Sequence, residues 1–158
     1  MSCTTHRRFA SWSRGLFRVI LALALAFIAT GCGGFDENAA LVTRVIDGDT
    51  IEIEGGIRVR YIGIDTPETD EPYYLEAREA NRNLVNGRHV RLEKDIEDKD
   101  KYGRLLRYVW VGDVMVNAEL VSSGYAYSYS YPPNLKYQAQ FLLLEKEARE
   151  HKRGLWSD

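Results

Sequence analysis

Residues Ile51-Glu52-Ile53-Glu54 and Ile57-Arg58-Val59-Arg60-Tyr61 alternate apolar and charged side chains on either side of Gly55-Gly56. Successive side chains of a strand point to opposite faces, so this alternation sorts one apolar face from one charged face only if both segments are extended. The Gly-Gly pair between them is a two-residue hairpin signal. Leu41 to Ile46 reads as a preceding strand, and the three together predict an antiparallel meander.

Pro72 opens a helical stretch, with Tyr73, Ala77, Ala80 and Leu84 on one stripe and Asn86-Gly87 as its stop. Arg88 to Lys94 and Arg104 to Val111 read as a fourth and a fifth strand, joined by the charged, turn-rich segment Asp95 to Gly103. Asn117 is expected to cap a short helix ended by Gly124. Asn134 is expected to start a long one, with Tyr137, Phe141, Leu144 and Ala148 on one stripe and Gly154 at its end. Five short strands with a helix between the third and fourth is the order of an OB-type barrel. The expected fold is therefore α+β: a five-stranded OB barrel plus three helices, in one domain.

The first 31 residues read differently. Arg7, Arg8, Arg14 and Arg18 form a basic leader with no acidic residue, and the apolar stretch Val19 to Ala29 follows. That stretch is well short of the roughly 20 residues a membrane-spanning helix needs. Ala29-Thr30-Gly31-Cys32 closes it with small residues and a cysteine, an ending that resembles a bacterial lipoprotein box. The expectation is a signal peptide over 1–31, a lipidated Cys32 with a short tether over 32–40, and a folded domain over 41–157. Localisation would then be the cell envelope, anchored by lipid, or secretion if Cys32 is not lipidated. Only Cys3 and Cys32 are present, so the processed chain would hold one cysteine and no intramolecular disulfide. Removing the leader takes four of the 21 basic residues and none of the 23 acidic ones, leaving 17 against 23 and a formal charge of −6. Proteins that coat nucleic acid by bulk attraction are usually basic. Any grip on a polyanion must come from a local cluster.

Three segments supply such a cluster: Asp47-Gly48-Asp49-Thr50, Arg60 through Asp65-Thr66-Pro67-Glu68, and Asp100-Lys101-Tyr102-Gly103-Arg104. Carboxylates within about 5 Å of one another repel by several kcal/mol even at an effective dielectric near 20, so Asp49, Asp65 and Glu68 gathered together would call for a cation. The available ligands are oxygens, because His89 and His151 fall outside these segments. That disfavours zinc and leaves calcium or magnesium. Arg60 and Arg104 carry permanently charged forks that match phosphate oxygens. Glu68 is the best candidate for a base that orients an attacking water and takes its proton. Tyr125, Tyr127, Tyr129 and Tyr131 recur at every second position and offer rings on which bases can stack. The inventory points to phosphodiester chemistry.

Together these segments resemble the staphylococcal nuclease (thermonuclease) family. The resemblance runs from about Leu41 to Trp156, through Val45-Ile46-Asp47-Gly48-Asp49-Thr50, Arg60-x4-Asp65-Thr66-Pro67-Glu68-Thr69, Asp100-Lys101-Tyr102-Gly103-Arg104 and Gly154-Leu155-Trp156-Ser157. It implies an OB-fold barrel with helices and calcium-dependent cleavage of DNA and RNA, single-stranded or frayed by preference, by a monomer. It implies one Ca2+ on Asp49, Asp65 and the carbonyl of Thr66, with Glu68 as general base and Arg60 and Arg104 on the phosphoryl oxygens. Lys101, Tyr102, Tyr129 and Tyr131 match nucleotide-binding positions, and Asp47 is expected beside the metal site without ligating. The implied reaction is in-line attack of water on phosphorus with loss of the 5′-oxygen, leaving 3′-phosphate ends. One departure is the short acidic segment Thr69-Asp70-Glu71-Pro72-Tyr73, where the family archetype has a longer, lysine-rich loop. The alternative is an OB module of the envelope that binds nucleic acid without cutting it.

Overall fold

The computed structural model describes residues 39–157; the expected signal peptide and Cys32 lie outside them. Among the described residues there are eight strands: β1 (Ala39–Val45), β2 (Thr50–Ile53), β3 (Ile57–Tyr61), β4 (Ile64–Asp65), β5 (His89–Glu93), β6 (Leu105–Val111), β7 (Val114–Met115) and β8 (Tyr127–Ser128). Three helices accompany them: α1 (Tyr74–Val85), α2 (Val116–Ser122) and α3 (Gln138–Glu150). The main sheet runs β3-β2-β1-β5-β6-β7, and a parallel pairing of β3 with β6 closes five of these strands into a barrel. This is the expected OB architecture. β4 and β8 form a separate antiparallel pair.

The alternation in β2 and β3 sorts as the pattern requires. Ile51, Ile53, Val59 and Tyr61 are buried, while Glu52 and Arg60 are only partly covered. Tyr61, Tyr108 and Phe141 are the largest fully buried side chains, and burying one such ring is worth about 1.5–3 kcal/mol. α2 packs against α3 and against β6, and Phe141 of α3 reaches the core. Gly63, in the turn between β3 and β4, has φ 78°, and a Cβ there would lie 2.6 Å from the Phe141 ring.

Several local expectations need correction. β1 starts at Ala39, inside the expected tether, because Ala39 and Ala40 pair with Arg91 and Val90 of β5. The hairpin loop has three residues, since Ile53 pairs with Ile57 and Glu54–Gly56 forms a 3-10 turn. α1 begins after Tyr73, whose φ of 67° is not helical, and its buried stripe is Ala77, Asn81 and Val85. Asn117 does not cap α2 but sits within it, buried, accepting from Val109 N and donating to the Ile62 carbonyl. Asn134 does not start α3; its Oδ1 accepts from the backbone of Ile96 and Glu97 and ties down the β5–β6 connection. In both places a buried asparagine serves distant backbone groups, which short-range pattern cannot distinguish from a cap. Among the described residues no helix is long and apolar enough to cross a membrane.

Candidate active site

The site is built from three turns at one end of the barrel. In the first, Asp47 Oδ1 accepts from Asp49 N at 3.1 Å, which fixes the bend between β1 and β2. A Cβ on Gly48 would lie 2.7 Å from Thr66 Oγ1, so this turn packs against Thr66 with room only for glycine. Asn81 of α1 donates to the Asp47 carbonyl at 3.0 Å, and Tyr61 Oη donates to Asn81 Oδ1 at 2.9 Å. A buried relay of hydrogen bonds thus runs from barrel to helix to turn.

Asp49 is 5 % exposed. Its Oδ2 accepts from Thr66 N and Thr66 Oγ1, each at 3.0 Å, and its Oδ1 accepts from Thr50 Oγ1 at 3.1 Å. Arg60 Nη1 lies 2.9 Å from Asp49 Oδ2, and Arg60 Nη2 lies 2.7 Å from Asp65 Oδ1. The same guanidinium also donates to the carbonyls of Tyr61 and Ile64. Burial raises the Asp49 carboxyl to about 7 against the opposing pull of Arg60, and the charge of Asp47 adds to the rise.

The third turn is organised by Asp100. Its Oδ1 accepts from Tyr102 N and Arg104 N, and its Oδ2 pairs with Arg104 Nε at 2.7 Å. Burial works to raise the Asp100 carboxyl, but the hydrogen bonds from Arg104 and Tyr102 outweigh it and hold the group below the usual carboxylate range. Arg104 is therefore held by its Nε, with no partner for its terminal nitrogens among the described residues. Tyr102 stands 72 % exposed, its ring 5.5 Å from the Arg104 guanidinium carbon and 4.9 Å from Lys101 Nζ.

A cavity of about 410 Å³ joins these parts: Arg60, Asp65, Lys101, Tyr102, Arg104, Tyr129 and Tyr131 all line it. β8 brings Tyr129 there, since Tyr127 pairs with Asp65 and Tyr129 N donates to the Gly63 carbonyl. The other tyrosines of the series go elsewhere. Tyr127 meets Trp156 edge-on and Tyr125 packs against the core. Asp49 and Thr66 sit buried behind Arg60. Glu68 is exposed just past them, its backbone tied to Glu71 in a turn.

Three contributors carry roles that the sequence did not assign, two of them inside the motifs. Asp100 positions Arg104 and carries a weak signal, an acid four residues before an arginine across a glycine turn. Asn81 holds the Asp47 turn and lies four residues from both Ala77 and Val85, a spacing that places it on the buried face. Thr50 had no signal beyond its place in the motif.

The donor set at Asp49 and Asp65 is all oxygen, and one guanidinium bonds both carboxylates, so the two face a common point. Among the described residues no three His, Cys, Asp or Glu side chains form a metal cluster. A hard cation takes backbone carbonyls as readily as carboxylates, so two acids with a main-chain oxygen fit calcium or magnesium and do not fit zinc. His151 bonds the Glu147 carbonyl at the end of α3, and His89 lies on β5, away from the three turns.

Residues 58–158 match the family model for staphylococcal nuclease homologues. A thermonuclease of Staphylococcus intermedius is 40% identical over 158 residues, covering 87% of this chain and 94% of that protein. Endonuclease YncB of Bacillus subtilis (strain 168) is 46% identical over 125 residues, covering 72% of this chain and 59% of its own length. Protein ParB of Escherichia coli is 36% identical over 149 residues, covering 87% of this chain and 82% of that protein. An OB barrel with acids and arginines converging at one end, in such company, defines a hydrolase of the nuclease class. The chain belongs to the staphylococcal nuclease family.

Proposed function

We propose that this nuclease is calcium-dependent and cuts DNA and RNA, single-stranded or frayed by preference, to leave 3′-phosphate ends. The observation that carries this reading is the shared cavity, where Arg60, Arg104 and Asp65 meet the rings of Tyr129 and Tyr131. Asp49, Asp65 and the Thr66 carbonyl would hold the ion. Calcium so bound would supply charge neutralisation and polarisation at the scissile phosphate.

The chain's own groups do the rest. Glu68, exposed three residues beyond Asp65, orients a water and takes its proton as the water oxygen bonds to phosphorus. The bond from phosphorus to the 5′-oxygen breaks in line, and that oxygen takes up a proton from solvent. Arg104 donates from its terminal nitrogens to oxygens that gain negative charge during transfer; Arg60, whose terminal nitrogens bond Asp49 and Asp65, would do so on releasing those carboxylates to the ion. Tyr129 and Tyr131 stack on the bases, and Lys101 and Tyr102 bind the flanking phosphate. Asp47 holds the Asp49 turn through its carboxylate.

Digestion of single-stranded DNA with calcium or EGTA, using wild type, Glu68→Gln and Arg104→Ala, tests the proposal. Cleavage only with calcium, and lost in both variants, is expected. Equal activity under all conditions, or none under any, would sink it; a gel shift without cleavage would identify a binding module instead. We also propose a monomer anchored to the cell envelope through lipid on Cys32. Labelling with a palmitate analogue, lost in Cys32→Ala, is the expected result.

A further inference from the structure

A second cavity, of about 650 Å³, adjoins the first and shares two of its walls, Tyr102 and Arg104. Arg58 and Lys99 complete its charged lining, and no acidic side chain lines it. The strand order explains the placement. Leu105, at the start of β6, pairs with Val59 of β3 on one side and with Lys99 on the other. Arg58 and Lys99 therefore flank the same stretch of β6.

The neighbouring acids are already engaged. Asp98 binds Arg107 at 2.9 Å and Lys94 at 3.5 Å. Glu52, the cross-strand neighbour of Arg58, binds Arg44 at 3.1 Å. Neither the Arg58 nor the Lys99 side chain has an ion-pair or hydrogen-bond partner among the described residues. Three cations face one hollow in a chain whose processed form is acidic overall. Arg104 is paired with Asp100 through Nε only, and the Arg58 and Lys99 charges beside it repel without partners of their own, a cost that an anion between them relieves. The same hollow offers apolar surface, since Ile57 is 46% exposed and the Tyr102 ring 72%. Cations with an adjoining apolar wall and an aromatic ring suit one nucleotide: phosphate on the charges, base on the ring.

We propose that this second cavity binds the next nucleotide of a single-stranded polynucleotide beyond the cleavage site, with Arg58 and Lys99 on its phosphate and Tyr102 as the partition. The proposal rests on the nuclease reading and extends it to substrate length: chains long enough to reach the second cavity are held more tightly than dinucleotides.

The test measures affinity of the full chain for an eight-residue oligothymidylate and for a dinucleotide, with Glu68→Gln blocking cleavage. Adding Arg58→Gln and Lys99→Gln is expected to weaken the octamer about tenfold and the dinucleotide less than twofold. The salt dependence of octamer binding should flatten by about 0.7 in log–log slope, the value for one single-strand phosphate contact. Lys146→Gln with Lys152→Gln, an equal loss of two charges on exposed residues in and just after α3, controls for bulk charge. Equal losses for both lengths, no loss for either, or the same loss in the control would overturn the proposal while wild-type cleavage persists. If the wild type cleaves no oligonucleotide, the nuclease reading falls and this extension falls with it.

Discussion

Two aspartate–arginine pairs shape the site, and they are built in opposite ways. Asp49 lies buried, and its partner Arg60 spends its terminal nitrogens on two carboxylates and two backbone carbonyls. Asp100 is equally hidden, but Arg104 meets it through Nε alone. The first pair is a structural knot that gathers acids at one point. The second is a clasp that aims a guanidinium outward while leaving its fork for a ligand. Permanence of charge suits Arg to both tasks; only the atom that bonds the carboxylate differs.

The sharpest way to break this comparison is to delete each arginine. Arg60→Ala would leave Asp49 buried beside Asp47 and Asp65 without its cation. Breaking a buried pair from one side typically costs about 3–5 kcal/mol, so urea denaturation should show a loss of that size together with loss of cleavage. Arg104→Ala should instead lower kcat by about 10²–10³-fold, the scale for one transition-state donor. Its stability cost should stay near 1–2 kcal/mol, since Asp100 keeps its two backbone donors. Comparable destabilisation by both deletions would erase the distinction between knot and clasp.

A smaller effect probes the knot alone. Gly48→Ala places a methyl group against Thr66, which already donates twice to Asp49. Overpacking of this kind costs about 1–3 kcal/mol, and because the shift falls on Thr66, cleavage should drop with stability. Activity untouched by Gly48→Ala would mean that the turn can move without disturbing Asp49.

The barrel was legible because its strands carry their own period. Ile51, Ile53, Val59 and Tyr61 announce an inner face, and a hairpin joins them within the same dozen residues. The parts that escaped involve partners far apart in sequence. Asn117 bridges Val109 to Ile62, Asn81 bridges Tyr61 to Asp47, and Asn134 holds Ile96 and Glu97. An asparagine side chain bonding backbone tens of residues away leaves no local trace, so it reads as a cap or as nothing. The candidate site residues were legible as types in turns, but their division was not. That Arg60 binds acids while Arg104 is held for a ligand depends on which nitrogen faces which carboxylate.

The gentlest test uses pH, and the two pairs should respond with opposite sign. Asp49 has a folded-state value near 7 against an ordinary 3.8, raised chiefly by burial. Between those values the folded protein binds more protons than the unfolded chain, so Asp49's contribution to stability falls as pH rises through that window. Asp100 is shifted down, its burial outweighed by hydrogen bonds from Arg104 and Tyr102. Its contribution is present above the ordinary carboxylate value and is lost as pH falls below it. Denaturation curves in EGTA from pH 3 to pH 8 separate the two. Asp49→Asn should flatten the decline above pH 4, and Asp100→Asn should flatten the acid limb and leave the upper window unchanged. An unchanged upper window in Asp49→Asn would show that Arg60 and the two Thr66 donors keep Asp49 ionised despite its burial, making the knot electrostatically as settled as the clasp.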